Sequence, residues 1–283
     1  MDKTRQELVE KPVEDTAGYD VVETEDSLEE DLDSKLDSEY YKQVFLALCY
    51  RGFRYLTFSY AIGMVWAIGS IMIFVMEKIL LQDAILPPIF PVVEAAVILG
   101  TSLGELSFLD LTLVIFSVEI VLIAMAVWLY LNYKFSIDMR AAYNISRIAN
   151  SGLPSLSVGL SGYLTLLSSS LIVVGLFTLV YQFGLLLFIS GLFIFIVANM
   201  IISGLLSSTI SLAGKKYRKG PMLMLAGSIL HATSIGLGTL NAGGFLLQLL
   251  GMVYSVKTLR GELVRNLGED AIQEVEALEK ILA

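Results

Sequence analysis

One cysteine and one histidine among 283 residues leave little from which to build metal or nucleophile chemistry. Cys49 has no second thiol in this sequence to pair with, so neither an intrachain disulfide nor a thiolate metal site can form, and the redox compartment stays open. His231 is equally alone, which removes the His and Cys clusters that hold structural zinc. No metal and no cofactor is expected. The stretch "GKKYRKGP" offers glycine and lysines but lacks the spacing and the Lys-Ser/Thr pair of a phosphate-cradling loop. Lysine and arginine are missing from every long apolar stretch. Proline is scarce, and of the six present, Pro87, Pro88 and Pro91 crowd into "AILPPIFPVVEAAVILGTSLG".

What is abundant is apolar. A hydrophobic share of 55% and a mean hydropathy of +0.72 exceed those of an ordinary soluble domain and define a membrane protein. The net charge of -9 is local: residues 1–40 hold most of the surplus acid, and the remainder is slightly basic. That acidic stretch has too few aromatic and branched residues to bury a core, so ordering entropy predicts a disordered cytoplasmic tail. Within it, Ser27 and Glu30 have capping-box spacing, and Leu28, Leu32 and Leu36 recur every four residues, the pattern of a short amphipathic helix. No basic n-region with a short apolar h-region precedes residue 50, so no cleaved signal is expected and the first span directs insertion.

A bilayer core of about 30 Å takes about 20 apolar residues per helix. Six segments meet or approach that length: 55–76, 109–133, 157–181, 184–213, 222–240 and 242–256, the last two joined by "TLNAGG", which reads as a tight turn. If the proline-bearing stretch 84–104 does not cross, Arg51, Arg54, Lys134, Arg140, "KKYRKG" and Lys257 all share one side, and only Lys78 falls on the other. That asymmetry is the positive-inside pattern and predicts cytoplasmic termini. A seventh crossing would scatter it, so 84–104 is read as an interfacial or re-entrant segment whose irregular backbone needs cover at depth. The expected fold is therefore all-α, a polytopic membrane helix bundle of six transmembrane helices with that extra segment. Its divisions are a tail (1–40), a transmembrane domain (41–258) and a cytoplasmic amphipathic helix (259–283).

The second span is predicted to run past the membrane, with Ile137, Ala141, Ile145 and Ile148 on one face, until Gly152 and Pro154 stop it. At the C-terminus, Leu263, Leu267, Ala271, Val275, Leu278 and Leu282 form another stripe, able to dock on the body or on a protein partner. Gly175 and Gly236 each open a Gly-Leu-x-Thr-Leu stretch at the outer end of a hairpin, which duplication of a two-helix unit or chance explains equally. Other glycines, including Gly63, Gly244 and Gly251, read as helix-packing positions.

Glu119 lies well inside an apolar span, where an ionisable group costs about 2.5 to 3.5 kcal/mol and is expected to face the bundle interior. Both Glu119 and His231 lie about 12 Å below the outer ends of their spans, so the two form a candidate intramembrane polar site that can share a proton. The competing reading is a carboxyl satisfied by a hydroxyl, with His231 a packing residue. Lys215, Lys216, Arg218 and Lys219 form a candidate site for anionic lipid headgroups or for the acidic tail.

Two resemblances follow from short stretches. "VGLSGYL", with Gly159, Ser161 and Gly162, resembles the nucleophile motif of rhomboid intramembrane proteases, which implies Ser161 as nucleophile and His231 as base. It departs from that family in placing Ser161 near the inner and His231 toward the outer side, with no second histidine. The stretch "RGFRYLTFSYAIGMVWAIGSIMIF" and the glycine-rich last hairpin resemble archaeal multi-spanning membrane proteins grouped as domains of unknown function, which implies an archaeal plasma membrane and no activity. The leading expectation is a non-enzymatic scaffold or accessory subunit, followed by a small-solute or proton-coupled transporter using Glu119, with the serine protease a remote third. Expected partners are the lipid bilayer and a protein reached through 259–283 or the tail; no nucleic acid is expected.

Overall fold

The computed structural model describes residues 25–81, 108–149, 152–178, 182–214, 219–233 and 238–267. Every regular element among them is helical: α1 (Glu25–Leu81), α2 (Phe108–Ile148), α3 (Ser155–Phe177), α4 (Gln182–Leu212), α5 (Lys219–Thr233) and α6 (Gly238–Leu267). α1 starts two residues before the Ser27 that the capping-box spacing marks. Among the described residues, three helices are long and apolar enough to cross a membrane: α3, α4 from Phe183, and α6 over Ala242–Arg265. The apolar stretches 55–76 and 109–133 are helical within the longer α1 and α2. α5, at 15 residues, extends about 22 Å at 1.5 Å per residue, short of a bilayer core.

Ser38–Ala283 forms one compact unit, held by antiparallel neighbours that approach through small residues. Along α1 and α2, Arg51 meets Asp138, Ser59 meets Asn132 and Trp66 meets Trp128, so Leu81 and Phe108 stand at the same end of the pair. α3 packs on α2 where a Cβ on Gly162 would lie 2.8 Å from the Met139 Cβ. It packs on α4 where a Cβ on Gly175 would lie 2.5 Å from the Phe188 amide nitrogen. α5 and α6 are closer still. A Cβ on Gly227 would lie 2.7 Å from the Gly244 carbonyl oxygen, and one on Gly251 would lie 2.6 Å from that of Gly220. Small residues seven apart on each helix bring the backbones together, the device by which membrane helices gain dispersion contact without a hydrophobic driving force. Hydroxyls are spent locally: Thr57, Ser169, Thr209 and Ser228 each donate to the carbonyl four residues back, which keeps their polar atoms satisfied away from water.

Three sequence expectations change here. "TLNAGG" is not a turn but the first turns of α6, because Gly244 supplies space against the His231 ring rather than a reversal of the chain. α2 does continue to Ile148, yet its predicted stripe is not the buried one. Ile137 and Ile148 are exposed, whereas Phe135, Asp138, Met139 and Ala142 are buried, the register being set by the Arg51–Asp138 pair. The stripe after residue 258 begins within α6 itself, and Leu259 and Leu263 are buried in the same core as Phe45 and Leu46. Residues 268–283, the proline-bearing 82–107 and the tail up to residue 24 lie outside the described residues.

Candidate functional site

The antiparallel packing gathers the described cations other than Lys78 at one end of the bundle. Arg51 and Arg54 of α1, Arg140 and Arg147 of α2, Lys219 at the start of α5 and Arg260 near the end of α6 belong to it. Lys219 is exposed there, and Lys215, Lys216 and Arg218 fall outside the described residues. Just inside this end sits an ion pair. Arg51 donates through Nε at 3.0 Å and Nη2 at 2.6 Å to Oδ1 of Asp138, whose side chain is 4% exposed. Burial makes such a pair costly to break, since loss of either member removes a charge-assisted hydrogen bond from the other in a poorly solvated place. Cys49, fully buried beside it, is a poor nucleophile: burial pushes its thiol well above the usual range, the Asp138 charge pushes it the same way, and a hydrogen bond with Thr209 pulls back. Glu262, also buried, pairs with Arg265 one turn on along α6.

Farther along the bundle axis two amides bridge helices. The Ser59 hydroxyl donates to Asn132 Oδ1 at 2.7 Å, and the Tyr60 hydroxyl donates to Asn199 Oδ1 at 2.5 Å. Adjacent residues of α1 thus tie α2 and α4 to one level. The Nδ2 groups of Asn132 and Asn199 and the Trp128 Nε1 make no hydrogen bond within the described structure. One turn outward the polar character ends in a layer of rings. Trp66, Trp128, Phe195, His231 and Phe245 follow one another at centroid distances of 6.3, 6.1, 5.8 and 4.6 Å, one ring from each of α1, α2, α4, α5 and α6.

His231 belongs to that layer. It is buried, its Nε2 donates to Gln248 Oε1 at 3.2 Å, and its ring meets Phe245 edge to face. Glu119 does not join it: this carboxylate is exposed on the surface of α2, on the same face as Ile123, Val127 and Tyr130. Insertion energetics demand a partner for an intramembrane acid, and an inward orientation is only one way to provide it. Ser161 is buried and donates to the Val158 carbonyl of its own helix at 2.8 Å, while His231 is engaged on α6, so the structure does not assemble the serine and histidine of the rhomboid-like pattern. Gly159 and Gly162 instead form the packing face against α2, facing Tyr143 and Met139.

Arg51–Asp138, Ser59–Asn132 and Tyr60–Asn199 escaped sequence reasoning. Asn132 and Asn199 carry the available signal, as amides inside apolar stretches. Nothing local indicates which hydroxyl each would meet from 73 or 139 residues away.

These features define a class: an all-helical bundle with helices able to cross a membrane, interlocked by glycine contacts and buried polar bridges. Set against protein-family models, curated proteins and solved structures, the chain matches none of them.

Proposed function

We propose that this chain is a non-enzymatic integral membrane scaffold or accessory subunit. It crosses an archaeal plasma membrane six times, with the basic end and both termini in the cytoplasm and anionic headgroups against Lys219 and its neighbours. The observation that carries this reading is the ring layer from Trp66 to Phe245, which draws one ring from each of five helices into successive contact and so ties them together. Glycine contacts between backbones support it, because helices interlocked at that distance resist the rocking that alternating access requires. Glu119, on the outer surface of α2, is directed at whatever lies beside the bundle.

A proton-coupled transporter is the second reading, favoured by the unpaired amide groups of Asn132 and Asn199 in the interior. The two are separated by reconstituting the full chain into liposomes holding a pH-sensitive dye and imposing a pH gradient with a membrane potential. The scaffold reading expects proton leak equal to that of protein-free vesicles, unchanged by Glu119→Gln. Flux above that level which disappears in Glu119→Gln would establish transport instead.

A further inference from the structure

Glu119 is the one ionisable side chain of the outer half of α2 whose exposure is described, and it is exposed. The face it occupies continues through Ile123, at 63% exposure, Ala126, Val127 and Tyr130, residues three or four apart along one side of the helix. Large apolar side chains alternate there with a small one, the relief that a neighbouring helix packs into. A carboxylate in such a stripe is tolerated in lipid only beside a group that neutralises it or donates to it. This chain has little positive charge to offer. Residues 79–133 contain no lysine, arginine or histidine, and His231, buried within the ring layer, is bound to Gln248. Lys78 is the only cation of the outer end. Counting from the Ser59–Asn132 level at 1.5 Å per residue, it stands about 9 Å farther out than Glu119.

We infer that the exposed face of α2 from Glu119 to Tyr130 docks a single transmembrane helix of another protein, one carrying a lysine or arginine at the depth of Glu119 and apolar residues below it. The inference rests on the accessory-subunit reading and names the chemistry of the partner. Charge complementarity supplies the occupant: an acid in an apolar medium is stabilised by a cation beside it, so a partner lysine or arginine is held in register while the apolar stripe adds contact. A second copy of this chain would bring another carboxylate to the same place and repel it.

The test uses the full chain in liposomes, with a fluorophore at its N-terminus. It is titrated with an acceptor-labelled polyleucine transmembrane peptide that has one lysine at the Glu119 depth, and with the all-leucine version. The lysine peptide is expected to bind wild type about tenfold more tightly than the all-leucine peptide, and the preference should fall within about twofold in Glu119→Leu. The near-isosteric Glu119→Gln, which keeps the shape and loses the charge, should show an intermediate preference. Equal affinity of wild type for both peptides, or a preference that survives in Glu119→Leu, overturns the inference. So does energy transfer between two labelled copies of the chain that is lost in Glu119→Leu or Lys78→Leu, since the occupant is then this chain. Glu119-dependent proton flux defeats the accessory reading itself, whereas indifferent peptides with silent vesicles defeat only the docking.

Discussion

At the residue scale, the inner end of the bundle turns on Asp138. Its neighbours Phe135, Met139 and Ala142 are apolar and would form a buried face without it, but Arg51 reaches across from α1 and fixes which face that is. Asp138→Ala should destabilise the protein by about 3 to 5 kcal/mol, because the Arg51 guanidinium loses the buried carboxylate to which it donates twice, whereas Arg51→Met with Asp138→Leu should recover much of the loss. Unfolding in detergent followed by circular dichroism measures both. Cys49, in the same neighbourhood, reports on integrity. Its raised pKa keeps it protonated, so raising the pH from 7 to 9 should leave maleimide labelling of the folded protein near zero, while the unfolded chain labels quickly. The linked stability is fully present below the ordinary thiol pKa of about 8.5 and is lost as pH rises through the folded value. Sequence reading located Cys49 and judged it isolated; that it is also shielded depends on helices far away in the chain.

Among the elements, the α5–α6 hairpin shows most plainly what glycine is doing. Gly251→Ala should loosen it by about 1 to 3 kcal/mol, since the added Cβ meets the Gly220 carbonyl and the Met224 amide at under 3 Å and backbone cannot move aside. Gly204→Ala on α4 meets nothing within 4 Å and should stabilise by about 0.5 to 1 kcal/mol, the cost of helical glycine recovered. Thermal unfolding of the two variants in the same micelle distinguishes the roles. The sequence marked Gly244 and Gly251 as packing positions, which the contacts bear out, yet the same glycine pattern was read as a turn at "TLNAGG". Both readings follow from local composition, and only the partner helix decides between them.

For the molecule as a whole, the ring layer makes one cooperative unit of helices distant in sequence. Phe195 touches Trp128, His231 and Phe245, so Phe195→Ala should cost about 3 to 5 kcal/mol. Combined with Trp128→Ala it should cost less than the sum of the two, because they share a contact; a double-mutant cycle of unfolding free energies checks it. The sequence by itself determined the class, the extents of α3 and α4 to within a few residues, and the gathering of cations at one end, since apolar length, helix-ending residues and charge are carried by neighbouring positions. The tertiary structure alone decided that Asn132 bonds Ser59, that Asp138 turns inward and that Glu119 turns outward. Each depends on the azimuth at which one helix meets another, and in a chain apolar on every side of its helices no hydrophobic periodicity encodes that angle.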